Sequence, residues 1–293
     1  MRHLKSFHVF HVAATSQSYS EAAKKLNITH GAVSKQIKVL ESYLTQPLFT
    51  KQGRNVELTR QGQTLKGYTQ QAFLVLESGI KKLEQERQQC VDVSCEPTLT
   101  MRWLMPRLAE FNEGFNADVR LATAGGSINL GANGLSLAIR RDDFITHQDY
   151  IKTPLVKEYV GPVFSPDYWQ YVKSQLSQIK LLHSQTRPNA WSDWAMSCPQ
   201  HAFMQTALMN STQQSFGHFY FSIQAAVDGL GATLGSYPLV MDDLKRGNLV
   251  APFGFVPTGH YYVLLSEDKT NTELEQRFSN WLQEQMSHCL PME

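Results

Sequence analysis

The stretch from residue 20 to residue 44 restricts the fold more than any other part of the chain, because it encodes two short helices with almost no chain between them. Ser20 precedes the helix-forming run EAAKKL and is predicted as its N-cap, and Asn27 tolerates the left-handed conformation of a tight turn. Thr29 is the next predicted N-cap. Apolar residues then recur at helical spacing, at Val33, Ile37, Leu40 and Leu44. Two helices joined by so few residues have the proportions of a helix-turn-helix.

The face of the second helix opposite its apolar stripe is small at its beginning and basic further on. It carries His30, Gly31, Ser34, Lys35 and Lys38. Small side chains at a helix N-terminus let the backbone approach base edges in the major groove, and lysines reach phosphates. The pattern favours a recognition helix for duplex DNA. An ordinary helical hairpin with a basic exposed face is the alternative.

A β-hairpin is predicted directly after this helical pair. The stretch PLFTKQGRNVEL is typical of two short strands around a turn that carries Arg54, and Thr59 can cap the helix that follows. Arginine at the tip of such a wing suits the minor groove or the flanking phosphates. The predicted DNA-contacting residues are Ser20, Thr29, His30, Gly31, Ser34, Lys35, Lys38 and Arg54.

A long helix is predicted over residues 61–88, because the segment lacks proline and carries two apolar stripes. One stripe consists of Leu65, Tyr68, Ala72 and Val75, and the other of Phe73, Leu76, Ile80 and Leu83. Two stripes indicate two partners, the N-terminal module of the same chain and a second copy of the chain. Burial of the helix within a single chain is the alternative.

Charge is distributed unevenly along the chain. Residues 1–60 contain nine Lys or Arg and three Glu, a net charge of +6, residues 61–89 add +1, and the remainder carries −6, for a total of +1. A basic end on an acidic body suggests a polyanionic partner for that end. No apolar run reaches the roughly 18 residues of a membrane span, and the first residues lack the apolar core of a signal peptide. We therefore expect a cytoplasmic protein without a membrane partner.

The N-terminal motifs occur in a recognisable order: SYSEAAKKLNITHGAVSKQIKVLE, then PLF, then LTRQG. In this order and spacing the first 62 residues resemble the DNA-binding region of the LysR-type transcriptional regulators. Gly31 departs from the pattern, since family members often carry proline or another small residue there. The resemblance implies a bacterial regulator that binds operator DNA as a homodimer or homotetramer, responds to a small-molecule effector and contacts RNA polymerase.

The C-terminal part is predicted to be α/β, because strand-like and helix-like segments alternate from Val91 onward. Strands are predicted at VDVSC, DVRLATAGG, LSLAIRR, KLLHS, QTALMN and GATLG, and helices from Thr100 and at 219–229, 238–246 and 272–287. The resemblance implies a two-lobed, periplasmic-binding-protein-like effector domain. The segments RWLMPRLAEF, LAIR and WSDWA are similar to the branch that contains the glycine-cleavage activator and the β-lactamase regulator.

These considerations divide the chain into three parts. An all-α winged helix-turn-helix is expected over residues 1–60, a linker and dimerisation helix over 61–89, and the effector domain over 90–293. Within that domain, lobe I is expected at about 91–160 and 263–293, and lobe II at about 161–262.

Six residues are candidates for binding the effector between the lobes. Ligands on open α/β sheets bind beyond the carboxyl ends of strands, where helix N-termini attract anions. The turn EPTLT is such a place, so Thr98 and Thr100 are candidates for a carboxylate or polar effector, although Thr100 is equally explained as a helix cap. Ser127, Asn210, His218 and Tyr261 follow strands or begin helices elsewhere, and ordinary turn chemistry explains them as well.

No enzyme is predicted. The sequence has no nucleophile elbow and no phosphate-binding loop, and His8 and His11 lack an adjacent third metal ligand, so we expect no catalytic residue, metal or cofactor. Two other classes remain open. One is a redox-responsive regulator that uses Cys95, Cys198 or Cys289, and the other is a ligand-binding protein or enzyme whose basic N-terminus serves only for oligomerisation.

Overall fold

The computed structural model of the chain describes residues 3–52, 55–124, 128–131, 135–144, 146–197, 211–267 and 272–291, the side chains of 51, 52, 55, 82 and 85–88 excepted. Residues up to Leu83 and residues from Glu84 onward form two separate compact units. The first is helical with a small hairpin, and the second is α/β. No described helix has the length and apolar character needed to cross a bilayer.

The N-terminal unit has the predicted order of elements. They are α1 (Leu4–Ala14), α2 (Tyr19–Lys25), α3 (His30–Leu44), β1 (Phe49–Gln52), β2 (Asn55–Leu58) and α4 (Arg60–Gln88). Strands β1 and β2 pair antiparallel, with Phe49 opposite Leu58. The predicted winged helix-turn-helix is thus confirmed as a fold.

Side-chain caps define the helix starts, with one correction to the sequence prediction. The Thr29 hydroxyl accepts a hydrogen bond from the Ala32 amide at 3.2 Å, as predicted. Ser20 does not cap α2, because the helix begins two residues earlier than predicted: the Ser18 hydroxyl accepts from the Glu21 amide at 3.2 Å. The Glu21 carboxylate in turn accepts from the Gln17 amide at 2.7 Å. Both caps fix where the helices of the pair begin.

Buried contacts hold α3 against its neighbours. Asn27 adopts φ 52°, the left-handed turn expected of it. Val33, Ile37 and Leu40 are buried in the core of the N-terminal unit. The Glu41 carboxylate accepts from the amides of Leu48 and Phe49 at 2.8 and 3.2 Å, which ties α3 to the hairpin. The polar face of α3 is therefore held outward on a fixed scaffold.

Helix α4 keeps most of its apolar side chains exposed. Leu65 packs against the N-terminal core, and the Phe73 ring lies 5.2 and 5.0 Å from the rings of His8 and His11. The large exposed apolar side chains are Tyr68 at 69%, Leu74 at 37%, Val75 at 71%, Leu76 at 53%, Ile80 at 59% and Leu83 at 69%. Burial of both stripes within a single chain is therefore wrong.

The second unit is α/β, as predicted. Its strands are β3 (Cys90–Cys95), β4 (Asp118–Thr123), β5 (Leu137–Arg141), β6 (Tyr150–Val163), β7 (Lys180–Ser184), β8 (Thr212–Phe216), β9 (Ala232–Ser236) and β10 (Val256–Glu267). Its helices are α5 (Pro97–Leu99), α6 (Leu108–Phe115), α7 (Pro166–Val172), α8 (Ala190–Ser197), α9 (Phe219–Val227), α10 (Tyr237–Arg246) and α11 (Glu273–Ser287).

The eight strands found among the described residues of this unit form one mixed sheet in the order β4-β3-β5-β10-β6-β9-β7-β8. The two long strands β6 and β10 pair antiparallel at its centre, with Tyr262 opposite Val156. Parallel pairs flank them on both sides, β3 with β4 and β5, and β7 with β8 and β9. The long strands thus connect two parallel halves of the sheet.

Strands β6, β8 and β10 were not among the sequence predictions. Pro154 and Pro162 interrupt β6, and Pro257 and Gly259 interrupt β10, where the register shifts between Pro257 and Tyr261. Proline and glycine normally argue against a central strand, so β6 and β10 are not predicted from the sequence. The predicted strand QTALMN, residues 205–210, lies outside the described residues.

The helix after β3 begins earlier than predicted. It starts at Pro97, passes through a π-helical turn at Thr100–Leu104 and a 3₁₀ turn at Met105–Arg107, and continues as α6. Pro106 cannot donate a backbone hydrogen bond, which accounts for the irregular turns around it. Thr100 lies inside this segment, so its predicted role as the N-cap is wrong.

Candidate functional site

The polar face of α3 lines a shallow groove of about 780 Å³. All five residues predicted on this face, His30, Gly31, Ser34, Lys35 and Lys38, are part of it. His30, Gly31 and both lysines are exposed and Ser34 is half-buried. A Cβ atom on Gly31 would meet only the Thr29 hydroxyl, at 4.0 Å, so the space in front of this residue is open.

The groove also includes residues that sequence reasoning missed. They are His3, Val39, Ser42 and Tyr43, with the His3 and Tyr43 rings 4.5 Å apart at one end. Side chains four residues apart lie on one side of a helix. The face therefore consists of two rows, His30-Ser34-Lys38-Ser42 and Gly31-Lys35-Val39-Tyr43. Extending the predicted pattern by one turn would have found the last three of the missed residues.

Of the remaining predicted DNA contacts, Ser20 and Thr29 are described and Arg54 is not. Ser20 is exposed within the first turn of α2, and Thr29 is exposed as the cap of α3. The Tyr19 ring lies 6.0 Å from the His30 ring. Arg54, predicted at the wing tip, lies outside the described residues.

The structure describes four of the six predicted effector residues, Thr98, Thr100, His218 and Tyr261. Thr98 is buried, and the buried Thr100 hydroxyl donates to the Glu96 carbonyl oxygen at 2.9 Å. His218 is exposed as the residue before α9, and Tyr261 is 40% exposed on β10. Ser127 and Asn210 lie outside the described residues.

A cavity of about 430 Å³ lies instead beside the long central strands. Its polar wall comes from the end of β5, the loop between β7 and α8, α8 itself, and β10. It consists of Arg141, Thr186, Arg187, Asn189, Asp193, Ser197, Thr258 and His260. Apolar side chains form the rest, including Val160, Trp194, Phe219, Leu234 and Val256. None of the predicted effector residues that the structure describes lines it.

Buried Glu158 forms the centre of an ion-pair network that includes Arg141, Arg187 and Thr258 from the wall of this cavity. Its carboxylate accepts from Arg187 Nη1 at 2.7 Å and from Arg141 Nη1 at 3.0 Å. The hydroxyls of Thr258 and Tyr262 donate to the same carboxylate at 3.1 and 3.4 Å. Burial alone would raise the pKa of Glu158, but the two guanidinium ions offset burial and hold that pKa below its ordinary value. The network is therefore ionised at neutral pH.

The two arginines differ in how fully they are bonded. Arg141 also donates from Nε to Asp143 at 2.8 Å and pairs with it through Nη2. The Arg187 guanidinium lies 4.9 Å above the Phe219 ring and donates to Glu158. Within the described part of the chain, Arg187 thus retains more unused N–H donors than Arg141. A partly buried guanidinium with free donors is suited to bind a carboxylate or phosphate.

The half-buried residue Glu96 places a second carboxyl group near this network, and its replacement by glutamine should raise stability. Its Oε1 atom is buried with no hydrogen-bond partner among the described residues. Burial raises its pKa despite the nearby Arg187. Above the ordinary glutamate pKa of about 4.3 the unfolded chain ionises first, so Glu96 lowers stability as the pH rises toward its folded pKa.

We expect Glu96→Gln to increase the free energy of unfolding by roughly 1 kcal/mol at pH 7, because the amide keeps the shape of the side chain and avoids the cost of holding a charged carboxylate away from water. The gain should disappear near pH 3, more than one pH unit below the ordinary glutamate pKa of about 4.3, where Glu96 is protonated in both states. Urea unfolding at the two pH values measures it, with exposed Glu113→Gln as the matched control. A gain that is identical at both pH values would contradict the explanation.

Two of the three cysteines proposed as redox sensors have inert surroundings. Burial raises the pKa of Cys95 to about 12 and that of Cys289 to about 11. Trp103 Nε1 donates to Cys289 Sγ at 3.0 Å. Both groups therefore remain thiols at neutral pH, whereas oxidation proceeds through the thiolate. Cys198 lies outside the described residues.

The described part of the chain contains no group of three or more His, Cys, Asp or Glu side chains arranged to hold a metal ion. His8 and His11, considered above as a metal pair, instead pack their rings against Phe73.

Each of the two units matches a known protein family. Residues 4–63 match the family described as "Bacterial regulatory helix-turn-helix protein, lysR family", and residues 84–287 match the "LysR substrate binding domain". The chain is 34% identical over 292 residues to the HTH-type transcriptional regulator TrpI of Pseudomonas aeruginosa, covering 97% of both chains. It is 28% identical to the glycine cleavage system transcriptional activator of Escherichia coli, covering 95% of this chain and 92% of that one.

A solved structure shares the fold. CrgA, a LysR-type transcriptional regulator from Neisseria meningitidis, superposes with a TM-score of 0.53 at 20% identity, covering 97% of this chain and 99% of that chain. Members of this family are transcriptional regulators and not enzymes, which excludes the ligand-binding protein or enzyme without a DNA role. From the two matched domains and the near full-length identity, the chain belongs to the LysR family of bacterial transcriptional regulators.

Proposed function

We propose that the groove along α3 reads operator DNA in the major groove, with Lys35 and Lys38 on phosphates and His30, Gly31 and Ser34 near base edges. The five residues predicted from the sequence line one continuous groove on a helix that Thr29 caps, and this observation carries the proposal. The open space before Gly31 would allow close approach of the DNA. Ser20, Thr29 and wing residue Arg54 are proposed as flanking contacts.

We further propose that α4 pairs with α4 of a second copy. The exposed apolar stripe of Leu76, Ile80 and Leu83 supports this, since a stripe of that size is seldom left open to water. Members of the family form oligomers, and a tetramer that combines this contact with one through the effector domain is the proposed assembly. The regulator would act in the bacterial cytoplasm and contact RNA polymerase from its operator.

The effector, in this proposal, is a small molecule with an anionic group that binds to Arg187 in the cavity beside β6 and β10. The spare donors of that guanidinium support the choice. Glu158 holds the guanidinium in position and is itself bonded to Arg141. The proposed domain limits are those predicted above, with β6 and β10 joining the two lobes. An effector that favours one lobe arrangement would shift the quaternary state. Thr98, Thr100, Ser127, Asn210, His218 and Tyr261 remain predictions.

DNA binding through α3 is tested by two substitutions, one expected to change the overall affinity for DNA and the other the preference between bases. Lys35→Ala should weaken binding to every DNA sequence and reduce the slope of log affinity against log salt by about 0.9 per lost phosphate contact. Ser34→Ala should instead change which base is preferred at one operator position, by about 1–3 kcal/mol. Fluorescence anisotropy with the protein's own upstream DNA and single-base variants measures both.

Lys173→Ala is the matched control, because Lys173 is an exposed lysine of the α/β unit. It should leave affinity and salt slope unchanged. A Lys35 variant that behaves like the Lys173 variant would contradict the assignment of α3 as the DNA-reading helix, and an unchanged base ranking for Ser34→Ala would remove that residue from base reading.

A further inference from the structure

The charged groups that line the cavity differ in whether they already have partners. Arg141 is bonded to both Glu158 and Asp143, and His260 Nδ1 lies 2.8 Å from Asp142 Oδ1. Among the charged cavity residues that the structure describes, this leaves Arg187 with free donors and Asp193 with a free carboxylate. These two groups have opposite charge.

Asp193 belongs to α8, and its exposed side chain lies at the edge of the cavity. An acidic residue in the first turn of a helix interacts favourably with the helix dipole, which is a sufficient structural reason for its presence. That reason does not explain why the Asp193 carboxylate lines the same cavity as Arg187. A ligand that bears only an anion would meet electrostatic repulsion from Asp193.

The walls between the two charged groups are apolar. Trp194 and Phe219 contribute aromatic surface, and Leu234 and Val256 contribute aliphatic surface. Such walls favour a ligand with an apolar body between its polar ends, and pockets of this size generally fix a ligand through a few polar groups.

We propose that the effector is an amino carboxylate, whose anionic group binds Arg187, whose ammonium group binds Asp193 and whose apolar body lies against Trp194 and Phe219. This inference rests on the proposed function, because it assigns a chemical class to the ligand of the same cavity. It adds the requirement for a cationic group, which the anion site alone does not demand.

The test uses the full-length protein and a panel of probes. The panel contains α-amino acids and ω-amino carboxylates, each paired with the carboxylate that lacks the amine, for example phenylalanine with 3-phenylpropionate and 6-aminohexanoate with hexanoate. Isothermal titration should find at least one amino carboxylate that binds about tenfold more tightly than its partner, or better, as expected for a charged pair gained in a partly buried site.

Asp193→Asn should abolish that preference, because the ammonium group loses its counterion, and should not weaken binding of the carboxylate lacking the amine, because the repulsion from Asp193 is removed. Asp167→Asn is the matched control, since Asp167 is also an acidic residue in the first turn of a helix and does not line the cavity. A role limited to the helix dipole would change melting temperature in both variants and ligand preference in neither.

The outcomes separate the two levels of the proposal. Equal binding of paired probes, or a preference that survives in Asp193→Asn, overturns the amino carboxylate inference and leaves an anion-binding effector cavity. If carboxylates bind and amino carboxylates do not, the amino carboxylate inference is likewise overturned and the anion-binding cavity remains. Absence of binding by every probe overturns the inference, and if Arg187→Gln also leaves the DNA response to cell extract unchanged, the proposed cavity fails with it.

Discussion

Replacing Glu158 by alanine is expected to lower the free energy of unfolding of the α/β unit by about 3–5 kcal/mol, the usual cost of breaking a buried ion pair. Glu158 is 0% exposed and accepts from two guanidinium groups and two hydroxyls. Its removal leaves Arg141 with Asp143 alone and Arg187 without a counterion, both largely shielded from water. Effects of this size are a large fraction of the stability of most domains.

Tryptophan fluorescence during urea unfolding measures this loss selectively. The five tryptophans are Trp103, Trp169, Trp191, Trp194 and Trp281, and all lie in the α/β unit. Exposed Glu113→Ala is the control and should change stability by less than about 0.5 kcal/mol. Glu158→Gln, which keeps hydrogen-bonding atoms and removes the charge, should fall between the two.

The effect of Glu158→Ala should also depend on pH in a defined direction. Because the folded pKa of Glu158 is lowered, its contribution is complete above the ordinary glutamate pKa of about 4.3 and is lost as the pH falls through the folded value. The gap between wild type and variant should therefore be constant from pH 5 to 7 and shrink in more acidic solution. A Glu158 variant as stable as the Glu113 variant would show that the network contributes nothing.

Sequence reasoning predicted the N-terminal unit well because its signals are local. A cap, a left-handed turn and an apolar stripe all lie within about four residues of what they determine. The one misplaced cap illustrates the limit: Ser18 and Ser20 are equivalent by composition, and only the spacing Ser18 to Glu21, a capping-box pattern, distinguishes them.

The cavity could not be predicted in the same way, because its residues come together through long-range pairing. Glu158 and Thr258 are one hundred positions apart and meet because β6 and β10 pair at the centre of the sheet. Both strands contain proline, which masks them in the sequence. Neither Arg141 nor Arg187 is distinguishable from an ordinary surface arginine without that pairing.

The sequence singled out Tyr261 as an effector candidate, whereas the tyrosine that joins the ion-pair network is its neighbour Tyr262. Successive side chains of a strand point to opposite faces. Tyr261 is 40% exposed, whereas Tyr262 is buried, with its hydroxyl 3.0 Å from Ser236 Oγ and bonded to Glu158. Choosing between two adjacent tyrosines requires the register of β10, which depends on a bulge near Gly259 that the sequence does not reveal.

Replacing Ile80 by aspartate is expected to separate the paired α4 helices and to lower affinity for operator DNA about hundredfold or more, because two linked DNA-binding modules become independent. Ile80 lies in the middle of the stripe formed with Leu76 and Leu83, at 59% exposure in the single chain. A carboxylate at this position would be buried without a partner in the pair, at a cost of several kcal/mol.

Gln71→Asp is the matched control, because Gln71 is exposed on the same helix, about 180° around the axis from Ile80 at 100° per residue. It adds the same charge to α4 and should change neither assembly nor affinity. Sedimentation velocity should give half the wild-type assembly size for Ile80→Asp, and anisotropy titration at fixed salt should give the loss of affinity. If Ile80→Asp keeps both the assembly and the affinity, the apolar stripe of α4 does not pair with a second copy, and the two modules on the operator must be joined through the effector domain instead.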